Sequence, residues 1–160
     1  MKINIYGSTG IIGSKSLNIL KKYFPKIKIN LLCANNNVKK LIDQSNLYSP
    51  KFVYLNNFKK HSILKENINK KIKILDKYEL AKYLKESKSD YSLLAISGYK
   101  SLNYFNLILK NTKSIGLVSK EAVVSAGHLY NTKIRKKIFP IDSEHFSIFH
   151  FLKNNYSHDL

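Results

Sequence analysis

Gly7-Ser8-Thr9-Gly10-Ile11-Ile12-Gly13 follows directly on the β-rich run Lys2–Tyr6 and opens a stretch in which Leu17, Leu20 and Phe24 recur on one helical face. A G-x-x-G-x-x-G segment between a strand and an amphipathic helix has a physical reading. The first glycine permits a tight turn, the second lets a phosphate approach the backbone, and the third lets the helix pack closely on the strand. The free N–H groups and the positive end of the helix dipole then face an anion. The pattern implies a dinucleotide-binding turn, the alternative being a tight βα turn with no ligand.

Working outward, short β-rich runs alternate with stretches of helical period, and no Pro/Gly/Ser linker interrupts them. Strands are expected near Lys2–Tyr6, Lys28–Cys33, Phe52–Leu55, Ile72–Leu75, Tyr91–Ser97, Ile115–Val118 and Lys137–Ile141. Helices are expected over Ile11–Tyr23, ended by Pro25, and over Val38–Leu47, Tyr78–Ser87, Leu102–Asn111 and Lys120–Lys133. The Lys- and Asn-rich stretch Asn56–Asn69 has the weakest period. The implied fold is α/β, a single Rossmann-like domain built on a doubly wound, mostly parallel sheet of about seven strands. Ligands of such a sheet bind beyond the carboxyl ends of the strands.

Composition limits the partners. The 160 residues carry 28 Lys+Arg against 10 Asp+Glu, a net charge of +18, with 44% hydrophobic and 12% aromatic residues. That is one domain's length with the apolar content of a folded globule. Of the basic residues 27 are lysine and only Arg135 is arginine, and there are 17 asparagines. Scattered lysines without arginine forks read as a compositional bias on solvated faces, so no specific nucleic-acid partner is expected, only loose, salt-sensitive adhesion to polyanions. No apolar run approaches the ~20 residues of a membrane span. The lone cysteine, Cys33, fits a reducing compartment and a cytoplasmic location, and it reads as a small buried apolar residue.

Three further segments carry candidate chemistry. Asn35-Asn36-Asn37, then Lys39-Lys40, stand after the second strand, where an NAD site usually places a carboxylate for the ribose hydroxyl. Neutral amides and lysines favour NADP there; a capped loop is the alternative. In Pro140-Ile141-Asp142-Ser143-Glu144-His145, two carboxylates two residues apart would point the same way in an extended chain and suit Mg²⁺ or Mn²⁺. The same residues also read as a helix N-cap. Lys120-Glu121 follows the strand Ile115–Val118, where a lysine would neutralise a phosphate or a developing oxyanion; ordinary surface at a helix start is the alternative. His61, His128, His150 and His158 form no metal-binding spacing.

In order, these fragments resemble 1-deoxy-D-xylulose 5-phosphate reductoisomerase. Residues 7–13 are similar to the family's GSTGSIG, Ser97-Gly98-Tyr99-Lys100-Ser101-Leu102 to its VGAAGL, Leu117-Val118-Ser119-Lys120-Glu121-Ala122 to its LANKES, and residues 140–150 to its PVDSEHNAIFQ. The resemblance implies an NADPH- and divalent-metal-dependent enzyme of non-mevalonate isoprenoid biosynthesis, homodimeric in the family, acting on a phosphosugar. It implies that Thr9, Gly10, Ile11 and Ile12 hold the NADPH pyrophosphate and that Asn35, Asn36 and Asn37 lie beside the 2′-phosphate. Ser119 and Glu121 would meet the nicotinamide half. Lys120 would sit against substrate and cofactor as a catalytic residue, Ser143 and Glu144 would touch substrate, and Asp142 and Glu144 would ligate the metal and serve catalysis.

The departures are specific. Asn35-Asn36-Asn37 stands for Gly-Lys/Arg-Asn, so a phosphate-pairing cation is missing and Lys39 or Lys40 is the sequence's substitute. Ser119 replaces an asparagine, Ala122 a serine, and Tyr99-Lys100 a pair of small residues. The third metal-binding carboxylate, the phosphate pocket and the flap of the family have no counterpart. The expectation is an NADPH-binding domain over residues 1–150, with 151–160 beginning a missing catalytic domain, inactive on its own as a truncated product. A non-catalytic NADP-binding module is the other reading.

Overall fold

The computed structural model describes residues 1–126 and 137–155. Seven strands form one sheet: β1 (Lys2–Tyr6), β2 (Lys28–Ala34), β3 (Phe52–Leu55), β4 (Lys73–Leu75), β5 (Ser89–Leu94), β6 (Thr112–Leu117) and β7 (Ile138–Pro140). Their order is β4-β3-β2-β1-β5-β6-β7, and every pairing is parallel. The sheet is thus wholly parallel, and strand order reverses between β1 and β5, which opens a crevice at their carboxyl ends.

The helices are α1 (Ile11–Tyr23), α2 (Val38–Tyr48), α3 (His61–Asn67), α4 (Lys77–Glu86), α5 (Leu102–Lys110), α6 (Lys120–Ala126) and α7 (Ser143–Asn155). They cover both faces because successive strand residues point to opposite sides. In β2, Leu32 and Ala34 join Leu17, Leu41 and Leu64 of α1–α3 in one core layer. Leu31 and Cys33 join Leu80, Leu84, Phe105 and Ile108 of α4 and α5 in the other. Each fully buried leucine contributes about 1.5–3 kcal/mol of transfer free energy, so the two layers lock the strand register.

Several boundaries differ from expectation for local reasons. The fifth strand starts earlier and ends at Leu94, because the chain after it turns through Gly98 at φ +72°. The sixth extends back to Thr112. The stretch after Asn56 holds a 3₁₀ turn at Phe58–Lys60 and then α3, whose Leu64 is fully buried; one anchoring leucine is too little for a readable period. Of the helix expected over Lys120–Lys133, residues 127–133 lie outside the described residues, as do His128, Arg135, His158 and residues 156–160 of the segment 151–160.

Candidate functional site

The glycine turn is held from three sides. Gly7 sits at φ +83°, and a Cβ there would strike the carbonyl oxygen of Ala95. The N–H groups of Gly7 and Ser8 both donate to the Cys33 carbonyl at 2.9 Å, tying the turn to the end of β2. Gln44 of α2, buried, donates through Nε2 to the Ser8 carbonyl at 2.8 Å, and the Ser14 hydroxyl donates to the same oxygen at 3.1 Å. Gln44 was invisible in the sequence because its role depends on how α2 packs, though a polar residue on the apolar face of α2 was its trace. Gly10 caps α1 with no side-chain hydrogen bond, so the first-turn N–H groups are left for another acceptor.

These groups border a cleft of about 510 Å³ at the switch point between β1 and β5, lined by Gly7, Thr9, Gly10, Asn35, Ala95 and Ile96 among others. Tyr99 and Lys100 line it too, where the resemblance led one to expect small side chains. Ile11 is 76% exposed at the start of α1 beside the cleft. Ile12, one residue on, is half-buried. Tyr54, also lining the cleft, has its hydroxyl pKa pushed up to about 12, chiefly by burial. Burial raises the Cys33 thiol as well, which keeps it protonated and non-nucleophilic at neutral pH.

The three asparagines separate in role. Asn37 caps α2, its Oδ1 accepting from the Lys40 N–H at 3.0 Å, which is the capped-loop alternative in part. Asn35 lines the cleft and accepts from Asn56 Nδ2 at 2.9 Å. Asn36 accepts from Asn57 Nδ2 at 2.7 Å, and its backbone carbonyl accepts from Lys60 Nζ at 3.2 Å. Asn56, Asn57 and Lys60 were not singled out in the sequence. The signal was available: β2 and β3 pair with a register of 21 residues, and Asn35-Asn36 and Asn56-Asn57 continue that register.

The remaining candidates gather at the carboxyl ends of β6 and β7. Ser119, 2% exposed, donates to Glu121 Oε2 at 2.7 Å, and its oxygen lies 2.9 Å from the Ser101 hydroxyl. Ser101, fully buried, donates to that Ser119 oxygen, so the two serines clamp the loop after β5 to the loop after β6. The bond from Ser119 lowers the Glu121 pKa. Lys120 Nζ meets Glu144 Oε1 at 3.4 Å, and Ser143 donates to Glu144 Oε2 at 2.7 Å. These contacts, the serine first, hold the Glu144 carboxyl down to about 2.

Asp142 and Glu144 are not on an extended segment. Residues 143 onward form α7, and Asp142 Oδ1 accepts from the His145 N–H at 2.9 Å while lying 2.8 Å from His145 Nδ1. An aspartate followed by serine and glutamate satisfies free N–H groups better as a cap than as a strand. The other oxygen, Asp142 Oδ2, is buried with no hydrogen-bond partner among the described residues. No cluster of three or more His, Cys, Asp or Glu side chains suited to a metal occurs among those residues.

A doubly wound, wholly parallel sheet with an uncapped, glycine-led helix start at its switch point defines the class of Rossmann-like α/β domains. The family model described as 1-deoxy-D-xylulose 5-phosphate reductoisomerase matches residues 3–127. The chain belongs to that reductoisomerase family.

It is similar to the 1-deoxy-D-xylulose 5-phosphate reductoisomerase of Pelagibacter ubique, 38% identical over 160 residues, covering 96% of this chain and 41% of the relative. It is similar also to that of a Sulfurihydrogenibium species, 36% identical over 97% of this chain and 40% of the relative. Among solved structures it matches the Zymomonas mobilis reductoisomerase in complex with NADPH, with a TM-score of 0.81 and 26% identity over 96% of this chain and 43% of that one. A reductoisomerase in complex with NADPH, fosmidomycin and magnesium matches with a TM-score of 0.77 and 26% identity, over 91% of this chain and 37% of that one. The chain thus spans about two fifths of the length of the curated relatives it matches.

Proposed function

We propose that this chain is the NADPH-binding part of a cytoplasmic 1-deoxy-D-xylulose 5-phosphate reductoisomerase, which rearranges and reduces its phosphosugar to 2-C-methyl-D-erythritol 4-phosphate. The observation that carries this reading is the open glycine turn, with an uncapped helix start facing a cleft at the sheet's switch point. The likeness to structures solved with NADPH supports it. Backbone N–H groups at Thr9, Ile11 and Ile12 receive the pyrophosphate, with Gly10, whose own N–H donates to the Gly7 carbonyl at 3.1 Å, leaving room for its approach; Asn35, Asn36 and Asn37 stand at the adenosine end, and Ser119 and Glu121 border the nicotinamide half. Residues 1–150 make up this domain, with α7 running on through that bound to Asn155.

NADPH supplies the hydride when bound. Asp142 and Glu144 fit a hard divalent ion as two of its ligands: Asp142 Oδ2 is buried without a partner, and Glu144 stays ionised far below neutral pH. Mg²⁺ or Mn²⁺ held there supplies Lewis-acid polarisation of the substrate's oxygens. The chain's own residues do the positioning. Lys120 offsets negative charge on the phosphosugar, Ser143 and Glu144 contact it, and the Ser101–Ser119 clamp holds the two loops in register.

A non-catalytic NADP-binding module is the second reading. Titrating NADPH against the purified 160-residue chain, followed by fluorescence, is expected to give saturable binding in the roughly 1–100 µM range. Adding deoxyxylulose phosphate and Mn²⁺ is then expected to leave NADPH unoxidised. Turnover would overturn the claim that the chain alone is inactive, and no NADPH binding would overturn the whole reading. Supplying the remaining part of the Pelagibacter ubique relative as a separate polypeptide separates the two: restored turnover supports the enzyme part, and continued silence the module.

A further inference from the structure

The cation that the family places after the second strand is missing from Asn35-Asn36-Asn37, and the fold brings another to the same place. Beyond β2 and β3 the parallel pairing runs on for two residues: the Asn56 and Asn57 N–H groups donate to the Ala34 and Asn35 carbonyls, each at 2.9 Å. The side chains repeat it as two amide rungs, Asn56 to Asn35 and Asn57 to Asn36.

The direction of these rungs follows from their neighbours. Asn57 Oδ1 accepts from the Lys59 backbone N–H at 3.2 Å, a group that can only donate, so Asn57 offers its Nδ2 to Asn36 Oδ1. In the second rung Asn56 donates its Nδ2 to Asn35 Oδ1 at 2.9 Å, while the Tyr54 hydroxyl donates to Asn56 Oδ1 at 3.0 Å. Both carboxamide oxygens of the β2 loop are therefore occupied, and the amino groups of Asn35 and Asn36 are left over as donors. Lys60 Nζ, anchored on the Asn36 carbonyl, keeps further donors of its own. No carboxylate bonds to Asn35, Asn36 or Lys60 among the described residues. The rim next to the cleft thus presents two amide amino groups and an ammonium, with no carboxylate paired to them among the described residues. It suits a phosphate dianion and offers no carboxylate to a ribose diol.

We propose that Lys60, from the turn after β3, supplies the cation that pairs the 2′-phosphate of NADPH, with Asn57 positioning the loop that receives it; this rests on the NADPH-binding reading above. Cofactor selectivity then comes from the β3–α3 connection and not from Lys39 or Lys40. Those two stand in the first turn of α2, and neither ammonium bonds to the asparagine loop among the described residues.

The test compares dissociation constants for NADPH and NADH in the unsubstituted chain and in Lys60→Gln, Lys60→Arg, Lys39→Gln and Lys40→Gln. Lys60→Gln is expected to weaken NADPH about tenfold while changing NADH by less than about twofold, since one charge-assisted contact is lost. Lys60→Arg is expected to retain the preference, and the two α2 substitutions to leave it in place. Lys60 is half-buried, so an unchanged melting temperature checks that the fold is kept. An equal loss for both cofactors, an unchanged NADPH affinity, or loss of preference in Lys39→Gln or Lys40→Gln would overturn the assignment to Lys60. Equal affinity of the unsubstituted chain for NADPH and NADH would overturn it while leaving nucleotide binding standing. Binding of neither would sink both.

Discussion

A Cβ on residue 13 would collide with the Gly7 carbonyl oxygen, and one on residue 7 with that of Ala95. The two glycines are therefore needed for different reasons, close packing of α1 on the turn in one case and a left-handed φ as well in the other. Gly13→Ala is expected to cost about 1–3 kcal/mol, the range for forcing extra volume into a packed site, and to weaken NADPH binding because the turn must shift. Urea unfolding followed by NADPH titration measures both effects, and an alanine variant with unchanged midpoint and affinity would contradict the packing. At this scale the glycine spacing was legible in the sequence because it follows one strand–helix junction. Gln44 was not, since the carbonyl it holds lies 36 residues earlier in the chain.

Among the elements, α4 shows how local chemistry fixes a helix start without reference to the site. Asp76 accepts from the Glu79 N–H at 2.7 Å, and Glu79 Oε2 accepts from the Asp76 N–H at 3.1 Å, a complete capping box. Asp76→Ala is expected to lower stability by about 1 kcal/mol. Nucleotide affinity should stay unchanged, because Asp76 makes no contact with the glycine turn among the described residues. Parallel denaturation and binding curves test this, and a change in affinity would mean that the cap shifts Leu80, the α4 residue that lines the cleft. Strands β1 and β3 and helix α1 matched their expected bounds because pattern and breakers agree there. Helix α7 was readable only as one of two options, since the same Asp-Ser-Glu residues serve a cap or a carboxylate pair.

At the scale of the whole molecule, the +18 charge predicts behaviour independent of any site. The chain is expected to be retained on heparin at low ionic strength and released well before about 1 M NaCl, as the screening length falls from ~10 Å to ~3 Å. NADPH at constant salt should not displace it. Retention that survives high salt, or elution by NADPH, would point to a specific polyanion site in place of diffuse attraction. No helix among the described residues is long and apolar enough to cross a membrane.

What the amino-acid sequence determined by itself is the alternation of strands and helices, the glycine turn and the wholly local caps, because each depends on residues within one turn or one strand of each other. The tertiary structure alone decided the partners at the sheet's carboxyl rim: Lys60 on the Asn36 carbonyl, Ser101 against Ser119 and Lys120 beside Glu144. Those pairs lie 18 to 24 residues apart and meet only when parallel strands bring successive loops to one edge.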